Sequence, residues 1–328
     1  MKKFLAFLLS LLMAGSMLSP GLPAFAQTTT ETSTETQEED TGSEIQAAGE
    51  QDAESEGSSS SSDYAEGSEK LDISQGTVPF IDESDPLMEN LAVYMVELTT
   101  DTLIHSRNAN ERRYPASLTK IMTAILTLEN IPDLDREITF TAELQNYVYE
   151  INLSYGGGIS TGGIVLNETL TVEQLLYAIM LPSANEAAVM LAYEIGDGSP
   201  ERFAEMMNEK AAELGSPGTH FVHSNGLLEE GHYTTARDIA VMARELLQHR
   251  WITDYTTVWQ DTLRGGEPEL VNTNRLVRFY DGCIGLKTGT TDAAGCCVCA
   301  GADREGMNLH AVVLGAPARD TRFESAKS

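Results

Sequence analysis

Tyr114-Pro115-Ala116-Ser117-Leu118-Thr119-Lys120-Ile121-Met122-Thr123-Ala124 sets a serine and a lysine three residues apart, just after a proline and just before an apolar run. Residues at i and i+3 of a helix lie on one face, one turn apart. A helix opening here therefore carries the Lys120 amine to the Ser117 hydroxyl. A serine hydroxyl is a weak nucleophile at neutral pH and needs a base. A lysine is that base only when neutral, a state favoured by burial or by a neighbouring cation, both of which lower its pKa. Ser117 would also stand at a helix N-terminus, where free backbone N–H groups and the dipole favour negative charge.

The flanking sequence predicts where this helix sits. Ile121, Ala124, Ile125 and Leu128 recur at helical spacing, so the helix from about Ser117 to Leu128 reads as a buried central one that desolvates Lys120. Upstream, Leu91 to Leu98 and Thr102 to His105 read as a strand hairpin turning at Thr99-Thr100-Asp101. Downstream, Thr171 caps a helix striped by Val172, Leu175, Leu176 and Ile179, and a second helix runs from about Glu186 to Ile195. Ser199 and Pro200 open another, and Thr235 with Asp238 reads as a capping box for a helix ending near His249. Glu137 to Asn167 is mixed in character. Its glycine-rich piece, Gly156 to Gly163, lacks Gly-Lys-Ser/Thr and reads as a flexible connection rather than a phosphate loop. Three strand-like runs close the chain, Cys283 to Thr290, Gly295 to Gly301 and Leu309 to Leu314. Strands at both ends and helices between them predict an α+β fold, a sheet packed by helices with a helical insert.

Composition narrows the function classes. The 328 residues allow one large domain or two ordinary ones, and the formal net charge is -29. Much of that charge lies between Gln27 and Asn90, which hold 18 acidic residues and one basic one. No basic cluster argues for nucleic acid. Met1 to Ala26 reads as a secretory signal: Lys2 and Lys3, an apolar run from Phe4 to Met13, then Ala24-Phe25-Ala26 as a small-x-small cleavage site. Residues 27–86, an acidic stretch rich in Ser, Thr and Glu, bury too little apolar surface to order and read as a disordered linker. The domain that follows, 87–328, carries the chemistry. Cys296 and Cys297 are adjacent on a strand, so they point to opposite faces and do not pair with each other. With Cys299 they read as small buried hydrophobes, the spacing is not that of a metal site, and a bridge from Cys283 stays open. None of the six histidines suggests a Ser-His-Asp triad.

Alone, Ser-x-x-Lys is a weak signal. Two later stretches change its weight: Ser183-Ala184-Asn185, between two helices, and Lys287-Thr288-Gly289, on the first of the closing strands. The set Ser-x-x-Lys, Ser-x-Asn, Lys-Thr-Gly, in that order, resembles the serine-type D-alanyl-D-alanine carboxypeptidases, the low-molecular-mass penicillin-binding proteins. The resemblance runs from about Leu91 to Lys327 and includes Thr219-His220-Phe221, Gly226-Leu227 and His232-Tyr233-Thr234-Thr235-Ala236. His223 departs from the asparagine expected before Gly226-Leu227.

The resemblance implies a β-lactamase/transpeptidase-like fold, an antiparallel sheet flanked by helices with a helical subdomain and the site where the two parts meet. It implies Ser117 as nucleophile, Lys120 as base, Ser183 as proton relay to the leaving amine, and Asn185 holding Lys120 or the substrate amide. Lys287 would draw the substrate's terminal carboxylate and depress the Lys120 pKa, with Thr288 bonding the same carboxylate. The N–H groups of Ser117 and Thr290 would form the oxyanion hole. Gly289 would let the ligand lie along the strand, and Arg322 would be a further carboxylate ligand. The partners implied are a peptidoglycan stem peptide and, as covalent inhibitors, β-lactams, with no cofactor, no metal and no nucleic acid. The location implied is outside the cytoplasm. Membrane association stays open, since the chain stops at Ser328, short of the small β-domain and anchor that many relatives carry. Alternatives are a D,D-endopeptidase cutting crosslinks with the same residues, and a penicillin-sensing or wall-binding module without turnover. A β-lactamase is less favoured, because the middle motif is Ser-Ala-Asn and no Glu-x-x-Leu-Asn is present to place a deacylating water.

Overall fold

The closing strands and the opening hairpin form one antiparallel sheet. In the computed structural model, which describes residues 90–249, 251–263, 266 and 269–327, these strands are β1 (Ala92–Glu97), β2 (Thr102–Arg107), β7 (Cys283–Thr291), β8 (Gly295–Arg304) and β9 (Met307–Ala316). Their order is β2-β1-β9-β8-β7, so the first and last strands in sequence pair in the middle and β7 forms an edge. The alternation of strand side chains divides two cores. Cys297, Cys299, Val312 and Leu314 face the helical core, whereas Cys296, Val298, Ala300 and Val313 pack with Leu276 and Phe323. The expected opposition of Cys296 and Cys297 is thus observed, and all four cysteines are free thiols.

The helical part is built around α1 (Lys120–Asn130), with a 3₁₀ turn (Ala116–Thr119) in front of it. Every residue from Lys120 to Thr127 is buried. Ile121, Met122, Ala124 and Ile125 are fully enclosed, and truncating a large side chain of this kind to alanine typically costs about 2–5 kcal/mol. Around α1 stand α3 (Val172–Met180), α4 (Asn185–Ile195), α5 (Pro200–Glu213) and α6 (Ala236–Leu246). Two short hairpins complete this part: β3 (Glu137–Thr139) with β4 (Thr169–Thr171), and β5 (Gln260–Thr262) with β6 (Glu269–Val271). The short helices α7 (Ile252–Thr256) and α8 (Leu276–Phe279) precede β7, and α9 (Arg319–Lys327) follows β9. The fold is α+β, as the order of strands and helices predicts.

Three local readings change. The α-helix does not begin at Ser117: a 3₁₀ turn headed by Ala116, itself at φ +48°, intervenes, and the α-helix starts at Lys120. The mixed stretch from Glu137 to Asn167 contains α2 (Ala142–Ser154), capped by Thr141. Leu144, Tyr147, Val148 and Ile151 form its apolar stripe, with Leu144 buried and the other three partly buried against the core, a helical spacing that sequence reasoning missed. Thr235 does cap α6, its Oγ1 accepting from the Asp238 N–H, but the Asp238 carboxylate turns to the Gly218 N–H and the Thr219 hydroxyl instead of closing a box. The full box is at Thr171 and Gln174. The signal and linker readings lie outside the described residues.

Candidate active site

The 3₁₀ turn brings the serine and lysine together. Side chains at i and i+3 eclipse in a 3₁₀ turn, and Lys120 Nζ stands 3.2 Å from Ser117 Oγ. Pro115 opens the turn at φ -73°, close to the value its ring imposes. Lys120 Nζ also donates to Asn185 Oδ1 and to the Asn225 carbonyl, each at 2.9 Å. Asn185 Nδ2 and the Asn185 backbone N–H both donate to the Ser160 carbonyl. Of the two expected uses of Asn185, the one observed is therefore holding Lys120. Ser183 and Asn185 are not simple helix caps, because the N-cap of α4 is Ala184 and no side-chain bond is made there. Ser183 sits at φ +69°, buried, and its Oγ has no hydrogen-bond partner.

Lys120 is wholly enclosed. Burial disfavours the ammonium and brings its pKa down to about 7, against the opposing pull of the Glu186 carboxylate. The expectation from sequence is that Lys287 depresses Lys120; the structure makes burial the leading cause. Lys287 is also enclosed, and its pKa is lowered well below the usual lysine value by burial first, then by the charges of Lys120 and Arg322.

Strand β7 forms the facing wall. A Cβ built on Gly289 would fall 2.8 Å from the Ser117 nitrogen and 2.9 Å from Ala116 Cβ, so only glycine lets the strand lie against the nucleophile's turn. Lys287 Nζ donates to the Thr288 carbonyl. The Thr288 hydroxyl, expected to meet a ligand, donates to Thr273 Oγ1 at 2.6 Å. Arg322 is buried behind the strand, its Nη1 donating to the Gly289 carbonyl, Thr290 Oγ1 and the Cys297 carbonyl. Thr290 itself is exposed. The structure thus gathers Ser117, Lys120 and Asn185 by direct contact, and ties Gly289, Thr290 and Arg322 to one another at the facing strand.

Four residues that sequence reasoning missed build the same site. Asn225 holds Lys120 through its carbonyl, a contact no side-chain motif reveals. Glu186 accepts from the Thr161 hydroxyl and the Gly162 N–H, pinning the glycine-rich loop beside the Ser-x-Asn segment. A carboxylate just before the apolar run Ala187-Ala188-Val189 was its available signal. Thr273 donates from its backbone N–H to the Leu181 carbonyl and accepts from Thr288, joining the middle motif to β7. His232, fully buried, contacts Thr119 Oγ1 at 2.8 Å.

Comparison with known proteins agrees with this arrangement. A family model described as D-alanyl-D-alanine carboxypeptidase, peptidase S11, matches residues 82–318. The D-alanyl-D-alanine carboxypeptidase DacF of Bacillus subtilis is 39% identical over 231 residues, covering 70% of this chain and 58% of its own length. The D-alanyl-D-alanine carboxypeptidase of Streptomyces sp. strain K15 is 30% identical over 265 residues, covering 75% of this chain and 88% of its own. The crystal structure of the Streptomyces K15 DD-transpeptidase superposes with a TM-score of 0.65 at 30% identity, over 72% of this chain and 93% of that one. The chain therefore spans little more than half of the Bacillus relative and most of the Streptomyces one. On the match across residues 82–318 and these relatives, the chain belongs to the D-alanyl-D-alanine carboxypeptidase family of serine peptidases.

Proposed function

We propose that this chain is a serine D-alanyl-D-alanine carboxypeptidase that removes the terminal D-alanine from peptidoglycan stem peptides and is acylated by β-lactams. The observation that carries the reading is the enclosed Lys120 amine on the Ser117 hydroxyl, with a pKa brought to about 7. In its neutral form the amine has two N–H bonds, which the Asn185 and Asn225 oxygens accept, and one lone pair left for the Ser117 O–H. Ser117 Oγ then attacks the carbonyl carbon of the penultimate D-alanine, its proton passing to Lys120. The C–N bond to the terminal D-alanine breaks, and the leaving amine takes a proton through Ser183, whose hydroxyl is free of other partners. Water releases the acyl group by the reverse path. The Ser117 and Thr290 amides serve as the oxyanion hole, a device worth roughly 100- to 1,000-fold per donor.

Lys287 and Arg322 make the carboxylate end of the site. Neither is ion-paired with a carboxylate among the described residues, and both are held below their usual pKa by burial. Arg322 keeps its charge, as a guanidinium does, whereas for the enclosed Lys287 an arriving carboxylate favours the ammonium form, so substrate binding itself completes the cationic locus. Thr288 and Gly289 then frame the edge of β7 as a strand for the peptide to follow. Residues 1–26 as a signal, residues 27–86 as a linker and residues 87–328 as the catalytic domain support a location outside the cytoplasm, where the substrate is. Release of free D-alanine from a D-Ala-D-Ala peptide, absent in Ser117→Ala, is the expected result. A protein that binds penicillin covalently yet turns over no such peptide is a sensor, and the reading fails.

The Streptomyces neighbour is a DD-transpeptidase, and this favours a second reading, transpeptidation, which differs only in the acceptor of the acyl group. Adding an amine acceptor and measuring the ratio of free acid to aminolysis product separates the two.

A further inference from the structure

The peptide between Ala116 and Ser117 follows a residue in an uncommon backbone conformation. Ala116 adopts φ +48°, an uncommon conformation for a residue with a Cβ, and the structure holds it from both ends. A Cβ on Gly226 would lie 1.9 Å from the Ala116 carbonyl oxygen, so the 225–226 segment lies directly against that group. The Thr119 hydroxyl donates to the same oxygen at 2.9 Å. Thr119 Oγ1 in turn meets His232 Nε2 at 2.8 Å, and His232 Nδ1 accepts from the Val222 N–H at 3.1 Å.

The direction of this chain of bonds is forced. Because Nδ1 is an acceptor, the single proton of a neutral ring lies on Nε2 and is donated to Thr119 Oγ1. Thr119 has only one proton, and it goes to Ala116. The ring is 1% exposed, stacked on His223 at 4.2 Å and set edge-on to Phe221 at 5.6 Å. Burial, with His223 and His220 nearby, lowers its pKa to about 2. A neutral, tautomer-fixed imidazole cannot act as a base here; it can only hold.

What it holds follows from peptide geometry. A trans peptide is planar, with its C=O and N–H pointing to opposite sides. Fixing the Ala116 carbonyl therefore fixes the direction of the Ser117 N–H, which lies beside β7 at Gly289. We infer that Thr119 and His232 form a positioning pair that clamps the Ala116–Ser117 peptide and so aims the Ser117 amide at the acyl oxygen. The inference rests on the proposed role of that amide as an oxyanion donor.

Two experiments test it. Thr119→Val keeps the shape and removes the hydroxyl, whereas Thr119→Ser keeps the hydroxyl. With a fluorescent penicillin, Thr119→Val is expected to lower the first-order acylation constant roughly 10- to 100-fold, less than outright loss of an oxyanion donor. Its pre-covalent binding constant stays near that of the wild type, and Thr119→Ser recovers most of the rate. A folded Thr119→Val protein that acylates at the wild-type rate overturns the inference, as does an equal loss in both variants. Should Thr119→Val not fold, the full chain labelled with ¹⁵N-histidine gives an independent answer. His232 is expected as the Nε2–H tautomer from pH 5 to 9, and an Nδ1–H tautomer or a titrating ring overturns the clamp. Wild-type protein that is never acylated refutes the proposed function instead, and leaves the tautomer measurement standing as the test of the pair.

Discussion

Lowering the pH should disarm the base before it disturbs the fold, and the size of the effect follows from the Lys120 environment. With a midpoint near 7, about half of the protein carries the neutral amine at pH 7, about a tenth at pH 6 and about one part in a hundred at pH 5. The rate of Ser117 acylation should therefore fall about 50-fold between pH 7 and pH 5 and level off above pH 8. Stopped-flow acylation by a fluorescent penicillin across this range reads the limb directly, because it isolates the first chemical step. Glu186→Gln gives the sign. The carboxylate favours the ammonium form, so removing its charge lowers the Lys120 pKa and moves the limb toward acid pH. Glutamine retains an oxygen for the Thr161 hydroxyl and the Gly162 N–H, so the loop contact survives. A rate flat from pH 5 to 8, a midpoint near the ordinary lysine value, or a Glu186→Gln limb displaced to alkaline pH refutes the reasoning.

Other outcomes follow from the same geometry. Lys120 has a folded-state pKa near 7 and an ordinary value of 10.5, so between those limits the unfolded chain binds the extra proton and stability rises with pH. The gain is about 5 kcal/mol over the window, and chemical denaturation should show a shallower rise in Lys120→Met. Gly289→Ala drives a methyl to within 2.8 Å of the Ser117 nitrogen; we expect about 1–3 kcal/mol of destabilisation, read from urea midpoints, and a large loss of acylation. Thr273→Val breaks the bond from Thr288 and should raise KM for a D-Ala-D-Ala peptide several-fold while costing about 1 kcal/mol of stability.

The parts of the site legible in the sequence are those in which a side chain does the chemistry at fixed spacing. Ser117 and Lys120 could be paired because three residues make one turn, and the apolar spacing of Ile121, Ala124 and Ile125 already implied a desolvated amine. The closing strands were legible as short strand-like runs separated by turn residues, and the opposite facing expected of Cys296 and Cys297 appears as the two cores on either side of β8. What escaped was carried by the backbone or by long-range contact. The Asn225 carbonyl lies 105 residues from Lys120, and the bond from His232 to Thr119 spans 113. The positive φ of Ala116, at the head of the 3₁₀ turn, is no preference of alanine; it is accompanied by the close approach of Gly226, distant in sequence, and by the Thr119 bond to the Ala116 carbonyl. Helix α2 escaped although Leu144, Tyr147, Val148 and Ile151 recur at helical spacing, because exposed apolar residues such as Tyr149 and Leu153 on its other face blur the stripe.

The central claim, that Ser117 is the nucleophile armed by Lys120, is tested most directly by mass spectrometry of the protein after brief exposure to penicillin, followed by peptide mapping. The account predicts a single covalent adduct on the peptide bearing Ser117, absent in Ser117→Ala and formed far more slowly in Lys120→Met. An adduct on any other residue, or one that persists in Ser117→Ala, contradicts it.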